Sequence, residues 1–136
     1  MVKITGEYQG DLHCAARHEP SGSTIATDAP KDNQGRGEAF SPTDLVGTAL
    51  GTCIATTMGI AARKLGVDLK GLRFEVTKEM SADLPRRITR LTTELWMPIP
   101  ASRPDAKQLE AAGRGCPVRR TLRDEVDKPV TFHWAG

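Results

Sequence analysis

An α+β fold, with short strands set around one long helix, is what the sequence predicts. Three observations predict it. Alternating runs broken by turns fill the chain before residue 30, an uninterrupted helical stretch runs from Ser41 to Gly66, and two further alternating runs are followed by short capped helices. At 136 residues, with 38% hydrophobic and 26% charged residues, the chain is expected to form a single domain, 1–136, around one core.

The first strands are expected at Val2 to Tyr8, Leu12 to Arg17 and Ser23 to Thr27, separated by Gln9-Gly10-Asp11 and Pro20-Ser21-Gly22 turns. Residues 28–39 mix Pro, Gly, Asn and charge without periodicity, so they form a loop long enough to suggest a role. It delivers Arg36 and Glu38 to the start of the long helix. That start is marked by Ser41 as N-cap, Pro42 at the first helical position and Asp44 completing a Ser-x-x-Asp capping pattern. Arg63 and Lys64 suit the negative end of the helix, and Gly66 can take the left-handed conformation that ends it.

Gly47, Gly51, Ala55 and Gly59 recur every four residues, leaving a flat ridge for close approach of another element. Strands follow at Leu72 to Glu79 and Arg87 to Met97, the second with Leu91, Thr93, Leu95 and Met97 on one face. A helix is expected from Ser102, with Asp105 in the capping position, to Gly113. A second starts at Cys116, and Val130 to Trp134 closes the chain as a strand.

A net charge of +2 without a basic run interleaved with aromatics argues against a nucleic-acid surface. The N-terminus lacks a signal-peptide core. No stretch is read as approaching the roughly 20 apolar residues of a membrane span, so a cytoplasmic protein without a membrane partner is expected. Three cysteines without close spacing do not make a secreted disulfide framework. No C-x-x-C or H-x3-H spacing points to zinc, and no phosphate-binding loop, dinucleotide fingerprint or G-x-S-x-G elbow is present, so neither metal nor cofactor is expected. His13, His18 and His133 are read as strand-surface or partly buried residues, and Cys14 as a packing residue.

Two thiols remain. Cys53 sits mid-helix on an apolar face with Val46, Ala49, Leu50, Thr57 and Ile60, where burial raises a thiol's pKa; an inert core cysteine is the alternative. Cys116, followed by Pro117, opens a helix, whose unpaired N–H groups and dipole favour a thiolate.

FSPTDLVGTALGTC in the long helix, with GCPV at a later helix start, resembles the OsmC/Ohr family of osmotically inducible and organic-hydroperoxide-resistance proteins. The resemblance extends over nearly the whole chain. It implies an α+β fold in which two chains intertwine as a homodimer, and a thiol peroxidase needing no bound cofactor. Carried onto these residues, Cys53 attacks the hydroperoxide and Cys116 resolves the sulfenic acid as a disulfide, which a dithiol reductant resets.

The Ohr branch activates its thiol with an arginine from the first strand connection and a glutamate inside the central helix. Here Glu7, Gln9 and Asp11 surround that connection, and Thr43 stands in the glutamate's place. Arg36 with Glu38 or Asp44 is the nearest substitute, the alternatives being a solvated loop pair and a simple helix cap. Leu50, Met58 and Ile60 are expected to line an apolar pocket suited to an alkyl hydroperoxide. The competing expectation is a noncatalytic dimer that binds a small apolar ligand and uses its cysteines only for packing.

Overall fold

The computed structural model describes residues 1–136. The chain divides into two compact units, Met1–Val46 and Gly47–Gly136. In the first unit β1 (Ile4–Gly10), β2 (His13–His18) and β3 (Thr24–Asp28) form an antiparallel meander in that order. The β1–β2 reversal is tight because Gly10, Asp11 and Leu12 all take positive φ. In the β2–β3 ladder His13 stands opposite Asp28, and Cys14 opposite Thr27.

The loop that follows contains one 3-10 turn, Lys31–Asn33, and folds back on itself. The N–H groups of Gly35 and Gly37 donate to the carbonyls of Pro30 and Ala29, and the Asp28 N–H donates to the Phe40 carbonyl. A side chain at position 35 would overlap the Ala29 carbonyl, so only glycine fits there.

The long helix α1 (Pro42–Lys64) starts where the capping pattern places it. The Asp44 N–H donates to Ser41 Oγ at 3.1 Å, and the Ser41 N–H donates to Asp44 Oδ2 at 2.9 Å, a reciprocal cap. Gly66, with φ of 70°, ends it as expected. One sequence expectation is corrected: an 18-residue window of α1 has a mean hydropathy of 1.6, long and apolar enough to cross a membrane, although a packed core helix passes the same test. About 33% of that window is buried within the chain.

The second unit holds the remainder of α1 and a sheet of order β4 (Arg73–Met80), β5 (Ile88–Pro100) and β6 (Val130–Ala135). β4 pairs with β5 antiparallel, whereas β6 returns parallel to β5 after a helical crossover. Leu50, Ile54, Met58 and Ala62 make one buried row along α1; Leu91, Thr93, Leu95 and Met97 make the buried face of β5. Burial of each large side chain in these rows stabilises the unit by about 1.5–3 kcal/mol.

The crossover contains α2 (Ala106–Arg114) and α3 (Pro117–Thr121). α2 starts four residues later than the Ser102 signal suggests. Arg103 donates to both carboxylate oxygens of Asp105, at 3.0 and 3.1 Å, and Asp105 therefore makes no side-chain cap.

Candidate functional site

Both thiols identified from the sequence belong to the second unit, and all three cysteines are free. Cys53 is half-buried, at the boundary between the Leu50–Ile54–Met58 row and an outward side that carries Ile60, which is 56% exposed. Its Sγ lies 3.9 Å from Thr57 Oγ1, one turn on. The apolar face expected around Cys53 is thus split between core and surface.

Cys116 is fully buried at the junction of α2 and α3. It is the N-cap of α3, with Pro117 at the first helical position, and its Sγ accepts the Arg119 N–H at 3.3 Å. α2 packs closely on α1 at Gly113, where a Cβ would lie 2.9 Å from Met58 Cγ and Sδ and 3.2 Å from Ile54 Cγ2.

Burial pushes the Cys116 thiol up from its ordinary pKa; the Arg119 N–H opposes this, and the neighbouring Cys53 thiol adds to it. The expectation that the helix start makes Cys116 the readier thiolate is therefore corrected. α3 has only five residues and offers one N–H to the sulfur, whereas desolvation acts on the whole anion.

Arg36 pairs with Glu38 at 3.5 Å, both side chains being more than half exposed. Asp44 serves the α1 cap. Glu38 also lies 3.3 Å from His13 Nε2, and its N–H donates to Asp28 Oδ2 at 2.9 Å. Asp28, with a fully buried side chain, is held below the usual carboxylate range by the Glu38 N–H, with the His13 charge and the Arg36 and Ala29 N–H groups adding to this. His13 is raised, first by its bond to the Asp11 carbonyl and then by Glu38 and Asp28.

Sequence spacing did not single out His13 and Asp28. The signal that finds them is the β2–β3 register, which needs a two-strand alignment rather than a local motif.

An open cleft of about 750 Å³ lies on the outward side of α1, lined by Ala55, Gly59, Ile60 and Arg63 with residues 66–70 and Leu72. Neither cysteine lines it. Leu50 and Met58 are sealed in the core, so the expected pocket of Leu50, Met58 and Ile60 does not form within one chain.

A family model described as OsmC-like protein matches residues 35–129. Among solved structures, one from Psychrobacter arcticus, described as a candidate osmotic stress induced and detoxification response protein, is 41% identical. The match covers 97% of this chain and 94% of that one, with a TM-score of 0.88. An organic hydroperoxide resistance protein OsmC from Legionella pneumophila shares the fold at 14% identity, covering 98% and 96% of the two chains with a TM-score of 0.78. The organic hydroperoxide resistance protein OhrB of Bacillus subtilis does so at 15% identity, covering 97% of each with a TM-score of 0.71. No curated protein matches the sequence.

Proposed function

Because the chain belongs to the OsmC-like protein family, we propose that it is a thiol peroxidase that reduces organic hydroperoxides, with Cys53 as the attacking thiol and Cys116 as the resolving thiol. The observation that carries the proposal is that two free thiols from separate elements, α1 and the α2–α3 junction, lie close enough for Cys53 to act on Cys116. Organic hydroperoxide resistance, named in two relatives of the same fold, supplies the substrate class.

The Cys53 thiolate attacks the distal peroxide oxygen and the O–O bond breaks. The alkoxide takes a proton and leaves as the alcohol, and Cys53 becomes a sulfenic acid. The Cys116 sulfur then attacks the Cys53 sulfur, and the sulfenic oxygen leaves with the Cys116 proton as water, closing a disulfide. An external dithiol exchanges with this disulfide and restores both thiols. Burial suits Cys116 to the second role, since a neutral, shielded thiol does not compete for peroxide. Arg36 and Glu38 engage each other and Asp44 engages the helix cap, so no step here is assigned to them.

We further propose that the working species is a homodimer. Two-thirds of the apolar α1 window is not buried within one chain, and Ile4, Tyr8 and Ile25 of the meander are 69%, 62% and 49% exposed. Such apolar surface is normally covered by a partner.

The test is consumption of cumene hydroperoxide with a dithiol reductant, with disulfide formation followed by mass. The wild type is expected to turn over and form the disulfide, Cys53→Ser to lose both, and Cys116→Ser to lose the disulfide and, with reductant omitted, to release one alcohol per chain. A noncatalytic dimer that binds a small ligand is favoured by one observation, the cleft beside Ile60, whose lining joins Ile60 and Leu72 to Arg63, Asp68 and Lys70. Absence of both turnover and disulfide in the wild type would select it.

A further inference from the structure

We propose that His13, Asp28 and Glu38 form a binding site for a first-row divalent cation of the zinc type, independent of the two thiols. Their ligand atoms all lie within 4.8 Å of one another. His13 Nε2 is 3.3 Å from Glu38 Oε2 and 3.5 Å from Asp28 Oδ1. Around a tetrahedral ion with ligands at about 2.0–2.1 Å, neighbouring ligand atoms are separated by roughly 3.3–3.4 Å. Two of the three edges, at 3.3 and 3.5 Å, are close to that length, the third is within 4.8 Å, and the half-exposed Glu38 carboxylate can turn to adjust it.

The site has features that a chance surface cluster lacks. Asp28 is 1% exposed, and its Oδ1 has no hydrogen-bond partner although it faces the imidazole. A buried acceptor left in this way costs about 1–3 kcal/mol, which a cation would relieve. The other oxygen, Oδ2, is fixed by the Glu38 N–H, so the carboxylate cannot rotate Oδ1 away without losing that bond.

The imidazole is also held in order. His13 Nδ1 lies 2.6 Å from the Asp11 carbonyl oxygen, which can only accept, so Nδ1 carries the proton. In the neutral ring Nε2 is then the lone-pair nitrogen, directed at the two carboxylates. A backbone carbonyl on the far nitrogen is how metal-ligating histidines are usually oriented. Each part has its origin in the chain: the positive-φ turn at residues 10–12 presents the carbonyl, the β2–β3 register sets His13 opposite Asp28, and the loop closed at Gly35 returns Glu38 to them.

Three protein ligands leave a fourth position for water or another ligand, and His13 and Glu38 are exposed enough to admit an ion. Arg36, 3.5 Å from Glu38 Oε1, uses the oxygen that the cluster does not. A protonated His13 bridging both carboxylates is the competing occupant, and it requires no metal.

The experiment titrates the reduced, full-length chain, all three cysteines kept, with Zn²⁺ by calorimetry and with Co²⁺ by visible absorption at neutral pH. One ion per chain is expected, with tetrahedral cobalt bands that lack thiolate-to-cobalt charge transfer. His13→Gln and Glu38→Gln each remove a ligand and should weaken binding by at least the roughly 10–100-fold that loss of an outer-shell partner costs. The Glu38 side chain is half exposed and its N–H is retained, so Glu38→Gln should keep the wild-type unfolding midpoint even if a change at His13 disturbs the strand. No binding, or binding with a thiolate charge-transfer band that both variants leave intact, would overturn the proposal.

Discussion

At Cys116 two effects oppose each other, and their relative sizes decide the chemistry. One N–H at 3.3 Å favours the thiolate, but complete burial disfavours it and prevails. Because the folded pKa is raised, the neutral form contributes stability that is present below the ordinary thiol range. That stability is lost as pH rises through the range toward the folded value. Alkylation of native protein should therefore label Cys116 only well above the pH at which a free thiol reacts, and unfolding midpoints should fall over the same interval. Cys116→Ala should remove that part of the decline, and an unchanged pH profile would contradict it. Cys116 stood out locally because it precedes Pro117 at a helix start, whereas Cys53, mid-helix on an apolar face, was singled out only by the family resemblance. His13 and Asp28 were not legible in the sequence, since their meeting depends on a strand register and a returning loop.

At the scale of elements, glycine placement separates tight packing from free surface along one helix. A Cβ at Gly51 would lie 2.7 Å from Phe74 Cδ2 and 2.8 Å from Val76 Cγ2, both stiff side chains anchored on β4. At Gly113 the nearest atoms are the flexible Met58 Cγ and Sδ at 2.9 Å, which can move aside. Gly51→Ala should cost about 1–3 kcal/mol through overpacking, and Gly113→Ala distinctly less, as read by urea denaturation. Asp44→Ala should cost about 0.5–2 kcal/mol by opening the reciprocal cap, without affecting the thiols' reaction with peroxide. The strands and α1 could be read to within a few residues, because alternation and capping are local. The start of α2 could not: Ser102 and Asp105 imitate a cap, but Arg103 claims the carboxylate. The glycine ridge was likewise only half legible, since Gly47 and Gly51 face the sheet while Gly59 meets open space.

For the whole molecule the unresolved balance is between apolar surface and its cover. α1 carries the apolar character of a membrane span, yet only a third of the window is buried by its own chain, and Gly59 and Ile60 face outward. A helix that is apolar on several sides is stable in water when each side is packed. Closure by a second copy accounts for this without a membrane, and Gly59 would let the facing surface approach closely. Light scattering should then give twice the 14.7 kDa chain mass. Ile60→Asp puts a charge on that outward apolar face and should shift the protein to monomer, with a lower midpoint that becomes independent of protein concentration. Wild-type protein that is monomeric at micromolar concentration, with a midpoint equal to that of Ile60→Asp, would remove the dimer and leave the outward face of α1 to bind something else.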